Sequence, residues 1–88
     1  MKVEVSKSFV KDISKITDKK LAVKLQEQIA ELENCNSLNE ITNIKKMIVK
    51  GNYYRIRVGN FRLGLEAESD TINLLRFMDR KEIYRYFP

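Results

Sequence analysis

The stretch YYRIRVGNFRL, Tyr53 to Leu63, decides how this chain folds. Gly59-Asn60 is a two-residue connection with glycine first, the signature of a type II′ hairpin turn. With that turn, Val58 pairs with Phe61. Counting back places Arg57 opposite Arg62, Ile56 opposite Leu63, Arg55 opposite Gly64, Tyr54 opposite Leu65 and Tyr53 opposite Glu66. Alternation along a strand then separates two faces. Tyr54, Ile56, Val58, Phe61, Leu63 and Leu65 form an apolar face able to cover helices. Tyr53, Arg55, Arg57, Arg62, Gly64 and Glu66 form the other face.

That second face sets like charges against each other. Arg57 and Arg62 are direct neighbours, and such pairs cost stability. Gly64 weakens its strand and leaves a hollow that something can approach closely. Guanidinium groups match phosphate oxygens bidentately. The face therefore reads as built for an anion, most naturally a phosphodiester backbone. A solvated face whose arginines pair with Glu66 or Glu68 is the plainer alternative. Tyr53 is in phase with the arginines and suits either base stacking or packing.

Working outward, IKKMIVK at 44–50 reads as an extended edge segment. Phe61 to Ala67 and Thr71 to Met78 read as strands around a turn at Glu68-Ser69-Asp70. Residues 34–43 are polar and loop-like, with room for one helical turn. Asp18 caps a helix over about 18–34, where Leu21, Leu25, Ile29 and Leu32 form the buried stripe and Gln28 lies off it. Ser6 caps an earlier helix carrying Phe9, Ile13 and Ile16, and a Thr-Asp joint makes the two a helical hairpin. Val3 to Val5 alternates as a short strand. Lys81 to Phe87 suits a last short helix with Ile83 and Phe87 on one side. The expected fold is α+β: an N-terminal strand, a helical hairpin, an antiparallel strand meander with helices on one sheet face, and a short C-terminal helix. One domain spans residues 1–88.

Composition narrows the chemistry. Net charge is +5, which favours a polyanionic partner. There is no histidine, so histidine-dependent triads and zinc sites are out, and acid–base work falls to Tyr, Lys, Asp or Glu. Cys35 is the single cysteine, with no partner for a disulfide and no histidine to activate it. No metal and no cofactor is expected. The N-terminal stretch reads as no signal peptide, no run reaches membrane-spanning length, and the expected place is the cytoplasm.

The C-terminal stretch RFMDRKEIYRYFP places Arg80, Lys81, Glu82 and Tyr84 just past the last strand. Together, Tyr54-Arg55-Ile56-Arg57-Val58-Gly59-Asn60-Phe61-Arg62 and Arg80-Lys81-Glu82-Ile83-Tyr84 resemble the two motifs of the RelE/ParE toxin superfamily of bacterial toxin–antitoxin systems, a "YRIRVG-x-[YF]-R" hairpin and a strand ending "HR-x-x-[IV]-Y". The resemblance spans essentially the whole chain. It implies a toxin restrained by a cognate antitoxin protein. RelE-like members are metal-free endoribonucleases that cut mRNA in the ribosomal A site; ParE-like members poison DNA gyrase. On the ribonuclease side, the resemblance has the basic residues Arg55, Arg57, Arg62 and Arg80 bind and stabilise the scissile phosphate and gives Tyr84 a part in proton transfer; Tyr53, from its strand phase, and Lys81, from its place past the last strand, are further candidate phosphate or RNA contacts. A tyrosine beside cations is a better proton acceptor, because they favour the tyrosinate. Asp79 and Glu82 are alternative bases. Asp79 departs from the superfamily, where the position before the Arg80 equivalent is commonly basic. An acid there repels a phosphate unless it pairs with an arginine or acts as base. A ribonuclease, a gyrase inhibitor and a catalytically disabled basic binding module are therefore the three expectations, in that order.

Overall fold

The computed structural model describes residues 1–88. The elements are β1 (Lys2–Val5), α1 (Lys7–Ile13), α2 (Lys19–Asn34), β2 (Ile44–Lys46), β3 (Tyr53–Val58), β4 (Phe61–Glu68), β5 (Thr71–Asp79) and α3 (Ile83–Tyr86), with a 3-10 turn at Leu38–Glu40. The strands form one sheet in the order β1-β5-β4-β3-β2. All pairs are antiparallel except β1 with β5.

The β3–β4 hairpin has the register that its turn demands, from Val58↔Phe61 to Tyr53↔Glu66. Gly59 carries φ +60°, while Asn60 stays at negative φ, as type II′ requires. Ile56, Val58, Leu63 and Leu65 are buried under the helices, joined by Phe9, Leu21, Leu25 and Leu32. Ser6 caps α1 by accepting from the Phe9 N–H, and Asp18 caps α2 by accepting from Lys20 and Leu21.

Several elements differ from their sequence reading. The helices do not pair chiefly with each other: α1 lies along β5, and α2 lies across β1 and β3. α1 ends at Ile13, so Ile16 reaches the core from the connection. Gln28 is buried, because its amide is satisfied by Glu31 and Asn43. Only Ile44–Lys46 of the 44–50 segment pairs as a strand; Ile48 is 97% exposed. The last helix is shorter than 81–87 and lies over the arginine face, although Ile83 and Phe87 are buried together as read.

A β-bulge sits in β5, where Leu65 pairs with Leu74 but Gly64 pairs with Arg76. Leu75 is the extra residue. Strict alternation after Ile72 and Leu74 would bury Arg76 and expose Phe77; the bulge exchanges them. Phe77 enters the core opposite Leu63, and Arg76 turns to the arginine face. Asp12 of α1 seals this edge, accepting from the Phe77 N–H at 3.0 Å and from the Arg76 guanidinium at 2.8 and 3.1 Å.

Candidate functional site

Arg55, Gly64 and Arg76 stand in one row across β3, β4 and β5. The C-terminal segment lays aromatic rings over this row. A Cβ on Gly64 would come within 2.7 Å of the Phe87 ring, so the hollow is filled by the chain's own C-terminal segment rather than left for a ligand. Phe87 also meets Tyr53 edge-on, with ring centroids 5.9 Å apart, which makes Tyr53 a half-buried packing residue. Ile83 is 1% exposed and pins the helix. Tyr84 is thereby held with its ring centroid 4.7 Å from the Arg55 guanidinium carbon, while 61% of the residue remains exposed.

The arginines gather as the hairpin register implies. Arg57 is exposed beside Arg62. Arg62 folds back on its own turn, its Nη1 donating to the carbonyls of Gly59 and Phe61 at 3.2 and 3.0 Å. Burial lowers the Arg62 pKa below its ordinary value, and the charges of Arg57, Arg55 and Arg80 lower it further; Asp79 opposes them weakly. The three other guanidinium groups therefore all act on Arg62. None of the four forms an ion pair, not even with Glu66 or Glu68; the ion pairs of the fold are Lys2–Glu4 and Arg76–Asp12. Nη1 of Arg55 is buried and makes no hydrogen bond.

Asp79 does not pair with Arg80. Its Oδ1 accepts from the Lys81 N–H at 2.8 Å and holds the turn out of β5. Lys81 and Glu82 are exposed on that turn, within the segment that brings Tyr84 to Arg55. The arrangement brings together cations for a phosphate, a phenol, and a carboxylate at the rim. Gln28 and Asn43, the amide pair on the α2 side, escaped the sequence reading. A polar residue one step off an apolar stripe gives no sign of whether it will be buried.

The same architecture occurs in solved toxin–antitoxin structures. The chain superposes on a chain of the RelB-RelE antitoxin-toxin complex from Methanococcus jannaschii with a TM-score of 0.81 and 44% identity, covering 97% of this chain and 99% of that one. The archaeal RelE-RelB complex from Pyrococcus horikoshii OT3 matches in fold at TM-score 0.73 and 23% identity, covering 90% of this chain and 93% of that one. A family model described as the ParE toxin of type II toxin-antitoxin system, parDE, matches residues 3–84. The chain belongs to this family of type II toxin–antitoxin toxins. It is 46% identical over 89 residues to Toxin RelE3 of Methanocaldococcus jannaschii, a match that covers both sequences fully. No helix is long and apolar enough to cross a membrane.

Proposed function

We propose that this toxin is an endoribonuclease that cuts mRNA, on the ribosome, in the cytoplasm. The observation that carries the reading is Arg62 repelled by Arg57, Arg55 and Arg80, with none of the four in an ion pair. Like charges held together without a partner are costly to the fold and valuable only to an anion. The arginine nearest in register outside that group, Arg76, does have its carboxylate.

In the proposed reaction the ribose 2′-oxygen attacks the adjacent phosphorus in line. The P–O5′ bond breaks, giving a 2′,3′-cyclic phosphate and a 5′-hydroxyl. The 2′-hydroxyl proton goes to a base, and the leaving O5′ takes a proton from solvent or the ribosome. Arg57 and Arg62 hold the non-bridging oxygens as charge builds, with Arg55 and Arg80 flanking. Arg62 is preset by its bonds to Gly59 and Phe61. Tyr84, stacked on Arg55 with its ring largely exposed, is the proposed base. Asp79 is the second candidate, its Oδ1 engaged with the Lys81 N–H, and the exposed Glu82 is the third. The restraining partner is a cognate antitoxin whose acidic groups answer the arginine face.

A second reading, inhibition of DNA gyrase without cleavage, is favoured by the match to the ParE-named model. Single-turnover cleavage of mRNA on programmed ribosomes, run beside plasmid supercoiling by gyrase, separates the two. Tyr84→Phe should slow cleavage about a hundred- to ten-thousand-fold, the usual contribution of general acid–base groups. Cleavage unchanged by that substitution would reject Tyr84 as base. Wild-type protein that blocks supercoiling and leaves RNA intact would reject the nuclease.

A further inference from the structure

Three grooves join end to end around the hairpin tip. One lies between the start of α2 and the turn, lined by Lys20, Lys24 and Gly59. It shares Lys24 and Gly59 with a larger groove of about 540 Å³ that runs on to Arg57. From Arg57 a third continues to Arg55 and Lys45 on the arginine face. The larger groove changes chemistry along its length. Lys24 and Arg57 supply cations without ion-pair partners at the hairpin end, while Glu27, Gln28 and Glu31, further along the same face of α2, form with Asn43, which is bonded to the Arg57 carbonyl, a second stretch of wall.

The hydrogen bonds show what that second wall still offers. Both N–H groups of the Asn43 amide are used, one on Gln28 Oε1 at 2.8 Å and one on the Arg57 carbonyl at 2.7 Å, leaving Asn43 Oδ1 to accept. Gln28 Nε2 donates to Glu31 Oε1 at 2.8 Å, leaving Glu31 Oε2. Glu27 makes no hydrogen bond or ion pair within the fold, so both of its oxygens are free. The wall is thus almost entirely acceptors, held in place by the buried Gln28 amide.

We propose that this groove is a base-reading subsite for single-stranded RNA. The phosphate backbone follows Lys20, Lys24 and Arg57, and a nucleotide next to the cleaved linkage turns its base edge to Glu27, Glu31 and Asn43. An acceptor wall selects bases that carry an exocyclic amino group. Adenine, cytosine and guanine have one; uracil has none and offers a single N3–H between two carbonyl oxygens. The carboxylates also repel phosphate, which fixes the strand's orientation across the groove. The assignment rests on the ribonuclease reading and adds the nucleotide preference to it.

The test is binding of short A, C and U homopolymers, 2′-O-methylated so that no attack can occur, to the full chain by fluorescence anisotropy. A and C strands should bind about tenfold more tightly than U, the scale of one good base-edge contact. Glu27→Gln with Glu31→Gln should close most of that gap and tighten U binding, since two negative charges are removed. Glu27→Gln alone is the companion variant, because Glu27 holds nothing in the fold. Equal wild-type affinities overturn the subsite, as does a preference that survives both variants. So does loss of antitoxin binding in the variants with the preference intact, which would give the acidic wall to the antitoxin. A preference that disappears in the variants, alongside wild-type protein that cleaves nothing on ribosomes, would keep the groove and reject only the enzyme.

Discussion

Arg55 and Arg76 occupy the same cross-strand row on either side of Gly64, under rings of the same C-terminal segment. Their electrostatics are opposite. Arg76 has a buried carboxylate 2.8 Å away, and its pKa is raised, first by the hydrogen bond to Asp12. Arg55 has no carboxylate, leaves a buried nitrogen unbonded, and helps to lower the pKa of Arg62. For Arg76 the raised folded-state pKa means that its charge favours the fold at every pH below its unfolded value. For Arg62 the depressed pKa means that its charge opposes the fold throughout the neutral range, with relief only in strong alkali. One arginine closes the fold, and the four-arginine cluster is left without an ion-pair partner.

The sharpest way to break this contrast is to remove the carboxylate. Asp12→Ala strands the Arg76 charge and the Phe77 N–H together. Losing one partner of a buried pair costs about 3–5 kcal/mol. For a domain of this size each kcal/mol moves the melting temperature by roughly 4–8 °C. Thermal melts should show a drop of well over ten degrees, whereas Arg55→Ala should move the melt far less. A comparable loss from both would mean that Arg55 is as structural as Arg76.

Next in size is the chemical effect of the cluster. Arg57→Ala and Arg62→Ala should each lower single-turnover cleavage about 10²- to 10³-fold, the scale of one oxyanion donor. Arg76 lies outside the proposed phosphate site, so Arg76→Met should lower stability with a much smaller change in rate per folded molecule. Cleavage that falls equally in all three would erase the distinction between the two kinds of arginine.

The hairpin half of this contrast was legible in the sequence, and the edge half was not. Gly59-Asn60 fixes the turn type, and a period of two then assigns every side chain from Tyr53 to Glu66 to its face. Asp18 and the stripe from Leu21 to Leu32 define α2 in the same local way. The bulge at Leu75 has no local signal: LLRF reads as an ordinary strand, and only the fit of Phe77 opposite Leu63 requires the extra residue. Asp12 sits between Val10 and Ile13 like any solvated acid, and its burial depends on a backbone N–H 65 positions away. The parallel pairing of β1 with β5 is equally long-range. Phe87 over Gly64 follows the same pattern: the glycine announced a close approach, but not whose side chain would make it.

Gly64→Ala tests what lies between the two arginines. Its new methyl would sit 2.7–2.8 Å from three Phe87 ring atoms, so the ring or the strand must shift. Overpacking of this kind costs about 1–3 kcal/mol. Because Phe87 and Ile83 hold the segment that sets Tyr84 on Arg55, cleavage should fall beyond what the stability loss explains. Phe87→Leu in the Gly64→Ala background makes room again and should restore part of the rate. A Gly64→Ala protein with unchanged melting temperature and rate would show that the ring is not a clamp.

The smallest effect has the opposite sign. Arg57 is exposed, directly opposite Arg62, and is bound to no acid. Arg57→Ala removes a like-charge cross-strand contact, a gain of about 0.2–1 kcal/mol, hence a melt raised by one to several degrees. Raising sodium chloride should stabilise the wild type more than the variant, since salt screens the repulsion that the variant no longer has. Inorganic phosphate at matched ionic strength separates screening from binding. An anion that occupies the cluster stabilises the folded state in proportion to its occupancy, while one that only screens does no more than chloride. The wild type should therefore melt higher in phosphate than in chloride, and most of that difference should vanish in Arg57→Ala. Equal melts in the two salts would leave the four arginines as a costly surface with no affinity for phosphate, and the contrast with Arg76 would lose its functional meaning.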